Sequence, residues 1–130
     1  MGITFGGYLH SKRLERGISL RKFAEQSKIS PVYMCNMEKD RNAAPSEEVL
    51  TRMADLLQLS DGERRYFYDL AAKSKTVTTV PQDLPEYIMN RDIVRVALRT
   101  AKDVDATDEE WQEFISMLEA KKKTNQEERK

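Results

Sequence analysis

The sequence predicts an all-α protein: a five-helix domain at the front, then a small C-terminal helical module. Apolar residues recur at spacings of three and four along most of the chain, whereas strands would need alternation. Serine or threonine stands ahead of each main periodic run, at Ser19, Ser30, Ser46, Ser60 and Thr107, as helix N-caps require. The periodicity is lost at length only over KSKTVTTVPQD, residues 73–83, which separates two helical stretches. The organisation expected is a domain over 1–73, a linker over 74–83, a helical interaction region over 84–120 and a disordered tail over 121–130.

In the first helix Phe5, Leu9 and Lys12–Arg13 mark one face, and Gly17 follows its end, where glycine adopts a left-handed C-cap without strain. Ser19 caps a second helix from Leu20 to about Ser27, which packs through Phe23 and Ala24. Ile29 points inward. Ser30-Pro31 opens a third helix, with proline at the first position, where its missing N–H is no loss; Met34 and Met37 form its buried face. Residues 40–45 break the pattern as a loop. Ser46 caps a fourth helix with the stripe Val49, Leu50, Met53, Leu56 and Leu57. Ser60-Asp61-Gly62-Glu63 is a capping box opening a fifth, with Tyr66, Phe67, Leu70 and Ala71 as its apolar residues. Val77–Val80 could form a short strand, but the segment reads as a connector. Beyond it, Leu84–Met89, then Ile93, Val94, Ala97, Leu98 and Ala101, resume helical spacing. Thr107–Glu110 is a second capping box, ahead of Trp111, Phe114, Ile115 and Leu118.

The 130 residues hold 22 Lys and Arg against 22 Asp and Glu, a balance unlike that of a polybasic packing protein. The charges are unevenly placed. Residues 1–41 carry eight cations (Lys12, Arg13, Arg16, Arg21, Lys22, Lys28, Lys39, Arg41) and four acids, so the first third is basic and the remainder acidic. That asymmetry suits a polyanion-binding end joined to a partner-binding end. One cysteine, Cys35, leaves no intramolecular disulfide or cysteine-based metal site. No apolar run reaches membrane-spanning length, and the N-terminus lacks a signal-peptide pattern, so a cytoplasmic protein with no membrane contact is expected.

No enzyme pattern is present. His10 reads as a surface residue, and there is no glycine-rich phosphate loop or Ser/His/acid set. The acids at 103–110 lack the glycine and ligand spacing of a calcium loop and instead serve a helix start. No catalytic residue, metal or cofactor is expected.

Two short amphipathic helices joined by Ser27-Lys28-Ile29, the second of them serine-capped, have the layout of a helix-turn-helix. The second can enter a major groove about 12 Å wide. Residues 5–59 resemble the phage repressor and Cro-type (Xre) family of transcriptional regulators. The resemblance is carried by Phe5, Leu9, Arg13, Gly17, Leu20–Ala24, Ile29-Ser30, Tyr33-Met34, Met37-Glu38, Pro45-Ser46 and Ala54-Leu57-Leu59. It implies a five-helix repressor-like helix-turn-helix domain from a bacterium, phage or mobile element, acting at the nucleoid on a double-stranded DNA operator. It also implies that Arg13 and Glu38 form the family's structural ion pair, and that Pro31, Val32 and Asn36 occupy base-contacting positions. Asn can pair with adenine N6 and N7, and Val32 can meet a thymine methyl. Ser19, Ser30, Tyr33, Lys39 and Arg41 suit phosphates. The chain departs from the family at Pro31 and Val32, where Gln, Arg or Ser is common. An apolar tip leaves open looser specificity, readout of DNA shape, or a domain that binds protein instead.

Residues 84–120 hold too much apolar surface for a tail and too little chain to bury it alone. Homodimerisation through this region is the first expectation, because operator half-sites favour two-fold pairs. The function expected is a sequence-specific transcriptional regulator, a repressor, that reads DNA with the helix at about 30–38. The alternative is an antitoxin or adaptor whose C-terminal helices bind a toxin or peptidase-like protein while the chain regulates its own operon.

Overall fold

The computed structural model describes residues 2–128, and among these it contains eight helices. They are α1 (Phe5–Glu15), α2 (Leu20–Ser27), α3 (Pro31–Glu38), α4 (Glu47–Leu56), α5 (Asp61–Lys73), α6 (Pro85–Asn90), α7 (Asp92–Asp103) and α8 (Asp108–Glu128). The chain divides into two compact units, Met1–Tyr87 and Ile88–Lys130. No helix among the described residues is long and apolar enough to cross a membrane.

In the first unit α1 packs on α3 and α5, α2 packs on α3 and α4, and α4 meets α5. Phe23, Phe67, Leu9, Met34, Met37, Met53 and Leu57 are fully enclosed between them. Phe5 and Phe67 stack with ring centroids 5.2 Å apart, closing the core under the start of α1. Side-chain caps accept from the orphan N–H donors at the starts of α1, α2, α3 and α5. Thr4 Oγ1 accepts from Gly7 N, Ser19 Oγ from Lys22 N, Ser30 Oγ from Tyr33 N, and Ser60 and Glu63 close a reciprocal box. Gly17 takes φ +66° after α1, as a left-handed C-cap demands.

Three local expectations are corrected. Ser46 occupies the N-cap position of α4, but its hydroxyl makes no capping bond; first-turn Glu47 and Glu48 supply the charge that favours a helix start. On α5 the enclosed tyrosine is Tyr68, whereas Tyr66 is largely exposed and meets Tyr8 edge-on at 5.1 Å. The tail expected from residue 121 is helical as far as Glu128, with Arg129 and Lys130 outside the described residues. KKKTNQEE contains neither glycine nor proline, and most of its residues favour helix, so nothing in it stops α8.

The segment after α5 is tied down locally. Ser74 Oγ accepts from Ala44 N at 2.9 Å, and Lys75 Nζ donates to the Ala44 and Pro45 carbonyls. Gln82 Nε2 donates to Glu47 O at 3.2 Å and Thr51 Oγ1 at 2.7 Å. Residues 74–82 are therefore a strap over the start of α4, and the division between units falls beyond it, within α6.

The second unit contains α7, α8 and the end of α6. Thr107 and Glu110 form its capping box, Thr107 Oγ1 accepting from Glu110 N at 3.2 Å and Glu110 Oε1 from Thr107 N at 3.3 Å. Trp111 meets Phe114 edge-on, with ring centroids 6.1 Å apart. No side chain described in α6, α7 or α8 is fully buried. Ile93, Val96, Phe114, Ile115 and Leu118 are all exposed.

Candidate nucleic-acid interface

The turn between α2 and α3 is closed without glycine. Lys28 takes the left-handed conformation (φ 63°, ψ 42°), and its N–H bonds to the carbonyls of Ala24 and Glu25. A side chain in that conformation costs on the order of 1 kcal/mol, and Ile29 packing on the core offsets it. Ser30 then caps α3, with Pro31 at its first position.

The last turn of α3 is anchored to α1 at two points. Arg13 Nε lies 2.7 Å from Glu38 Oε2 and its second terminal nitrogen 2.9 Å from Oε1, a bidentate pair in which both side chains are under a tenth exposed. Arg13 also donates to Ile18 O at 2.9 Å, and His10 Nδ1 lies 2.7 Å from Glu38 Oε1. Burial alone would raise the carboxyl pKa of Glu38, but hydrogen bonds from Arg13 and His10 outweigh it and hold the pKa below its ordinary value. The same pairing raises that of Arg13.

Asp40, left-handed at φ 60°, provides the second anchor. Its Oδ2 accepts from Thr4 Oγ1 at 2.6 Å and its Oδ1 from Gly6 N at 2.9 Å, so a residue beyond α3 caps the start of α1. The approach is close enough that a Cβ on Gly6 would lie 2.2 Å from Met37 O. His10, Thr4, Gly6 and Asp40 were not among the residues expected from sequence to hold the reading helix. The one local signal was the Gly6-Gly7 pair inside a helix, a cost that calls for a packing reason.

These anchors leave the start of α3 free. Pro31 is exposed, Val32 is 71% exposed and Tyr33 37%, while Cys35 and Asn36 are half-buried. Met34 and Met37 are fully enclosed. The Asn36 carbonyl accepts from Arg41 N at 2.8 Å, folding the loop back on the end of the helix. Ser19 and Ser30 use their hydroxyl oxygens as caps, which leaves each O–H free to donate outward beside a helix N-terminus.

The structure separates the eight cations of the first third into two sets. Lys12 pairs with Glu15 and Glu63, Arg13 with Glu38, and Arg16 donates to Leu57 O. Arg21, Lys22, Lys28, Lys39 and Arg41 are exposed and make no side-chain hydrogen bond or ion pair among the described residues. All five lie on α2, in the turn, or just beyond α3. The scaffold thus consumes the cations of α1, and those around the helix pair remain available to an external anion.

An anchored second helix, a tight turn and a fringe of unpaired cations define the chain's class: a DNA-binding regulator with a repressor-like helix-turn-helix domain. A family model described as a helix-turn-helix domain matches residues 4–67, the stretch that holds α1 to α4 and the first half of α5. A solved structure titled as a SinR protein/SinI protein complex aligns with 92% of this chain and 99% of its own, at 19% identity and a TM-score of 0.45. No curated protein matches the chain.

Proposed function

We propose that the protein is a sequence-specific repressor that lays α3 in the major groove of an operator. Pro31, Val32 and Asn36 face base edges. Ser19, Ser30, Tyr33, Lys39 and Arg41 bind the phosphates on either side. The observation that carries this reading is the set of five unpaired cations around the helix pair, because DNA affinity comes chiefly from neutralised phosphates and released counterions. If most of the five engage, log affinity should fall with log salt with a slope of about −4 for each reading head. Arg41→Ala should reduce that slope by about one and weaken all sequences alike. Asn36→Ala should lower cognate affinity while sparing random DNA. A salt-independent affinity, or equal effects of both changes on cognate and random DNA, would sink the proposal.

The second unit supports self-association in the cytoplasm, giving a two-fold pair of reading heads. Its exposed Phe114, Ile115 and Leu118 beside half-buried Trp111 are the aromatic and aliphatic anchors that dominate interfaces. Sedimentation of the full chain should show a dimer, and Trp111→Ala should weaken it by about 2 kcal/mol, roughly thirtyfold. The same apolar residues support a second reading, in which this unit binds a toxin or peptidase-like partner. A full-length chain that stays monomeric at high concentration would remove the homodimer and favour the partner.

A further inference from the structure

The side chains that α3 offers outward are of an unusually narrow chemical kind. Its sequence, PVYMCNME, has no Arg, Lys or Gln, and its one acid, Glu38, is spent on Arg13 and His10 with its side chain only 5% exposed. Met34 and Met37 are enclosed. What remains for a groove is Pro31, Val32, Tyr33, Cys35 and one amide, Asn36.

Each base pair asks for something different in the major groove. Guanine presents two acceptors, N7 and O6, and is read by a side chain bearing two donors. Cytosine presents an amino donor and is read by a carboxylate. Neither kind of group is available on this face. Adenine presents an acceptor and a donor side by side, which match the donor and acceptor of one amide, and thymine presents a methyl. Asn36 and the exposed Val32 meet those two needs.

We infer that the operator is built of A·T pairs where α3 meets it, with Asn36 on an adenine and Val32 on a thymine methyl. This rests on the proposed reading of α3 as the groove helix and specifies what it reads. Pro31 carries neither a side-chain donor nor a backbone N–H, so a guanine beneath it gains nothing from that residue. The unpaired Lys28 and Lys39 lie outside α3, just before and just after it, and the same reading gives them to backbone phosphates.

The test uses the full-length protein. Selection from random duplex DNA should yield sites with A·T pairs across the contacted run. Two analogues then probe the contacts, and both act only in the major groove. Uracil in place of a contacted thymine removes the methyl and should weaken binding about three- to fivefold in the wild type; in Val32→Ala the penalty should largely vanish. Replacing adenine with 7-deazaadenine removes N7 and should weaken binding about three- to tenfold; in Asn36→Ala that penalty should vanish. Selected sites with an invariant G·C pair in the contacted run would overturn the inference while leaving DNA binding intact. A·T preference insensitive to both analogues would overturn it too, since the duplex would then be read by its shape. Absence of binding to any duplex would instead fell the proposed function itself.

Discussion

Glu38→Ala is the perturbation that most directly tests how the reading helix is held. In the wild type Arg13 is 7% exposed, and its guanidinium makes two charged hydrogen bonds to Glu38, at 2.7 and 2.9 Å. Removing the carboxylate leaves that charge enclosed with only Ile18 O, and a His10 nitrogen at 3.3 Å, as neighbours. Breaking a buried pair from one side costs about 3–5 kcal/mol, because the surviving charge keeps its desolvation penalty without its partner. The lower figure applies here, since Ile18 O still accepts one bond. A loss of about 3 kcal/mol in a domain of this size lowers the melting temperature by roughly 12–24 °C. Circular dichroism is the appropriate readout, because the only tryptophan, Trp111, lies in the other unit. Replacing both partners with apolar residues, Arg13→Met with Glu38→Leu, should recover most of the loss, since neither charge is then left enclosed. A Glu38→Ala protein within about 1 kcal/mol of wild type, or a double variant no better than the worse single one, would refute the argument.

Three further outcomes follow from the first unit. Gly6→Ala should destabilise by about 2 kcal/mol or more, despite alanine's better helix propensity, because the new Cβ meets the Met37 carbonyl at 2.2 Å; chemical denaturation measures it, and a stabilised variant would contradict the packing. Ser27→Ala should be neutral or stabilising by up to about 1 kcal/mol, because the Ser27 hydroxyl is fully buried without a hydrogen-bond partner; a clear loss in the same assay would reveal a bond that the structure does not contain. The hydrogen bond from Lys12, and then that from Ser60 N, lowers the Glu63 pKa from 4.5 to about 2. The unfolded chain then takes up that proton first, so the contribution is complete above about pH 4.5 and lost as pH falls towards 2. Glu63→Gln should therefore flatten this part of the stability–pH curve and converge with wild type at its acid end; a constant gap across the range would assign the shift elsewhere.

Much of this was legible in the sequence because its causes are local. A cap needs a serine three residues before the N–H it bonds, and Ser19, Ser30 and Ser60 all fulfil that role. Periodicity set Met34 and Met37 inward, where both are fully enclosed. What could not be read depends on distant partners. Asp40 stood in an apparent loop, and only the folded chain brings it to Thr4 and Gly6, more than thirty residues earlier. Ser46 has the residue type of a cap without making the bond, and the choice of Tyr68 over Tyr66 for the core is set by how α5 sits on its neighbours. The strap is another such case: KSKTVTTVPQD has the composition of a free linker, yet Ser74, Lys75 and Gln82 bond to the start of α4. Residue types told which groups wanted partners, and the tertiary fold decided which partners they found.

The distribution of these contacts bears on how a donor-poor helix can still be selective. A reading head built on few base contacts gains discrimination only if those contacts are well aimed, since a loosely held side chain adapts to the wrong base. Here the restraint is concentrated at the far end of the helix. Glu38 ties its last turn to α1, Asp40 ties the next turn of chain to the start of α1, and Arg41 N folds back on Asn36 O. The chain leaving that loop is held in turn at Ala44 by Ser74 and Lys75. In the proposed reading none of these groups leaves its partner when Pro31, Val32 and Asn36 meet a groove. The exposed first turn is thus continuous with a last turn that is held to α1 at Glu38 and, through the following chain, at Asp40. The cations divide in the same way: Arg13 fixes α3 and Lys12 and Arg16 bind within the scaffold, while those around α2 and α3 stay unpaired, as the proposed contact with phosphates requires.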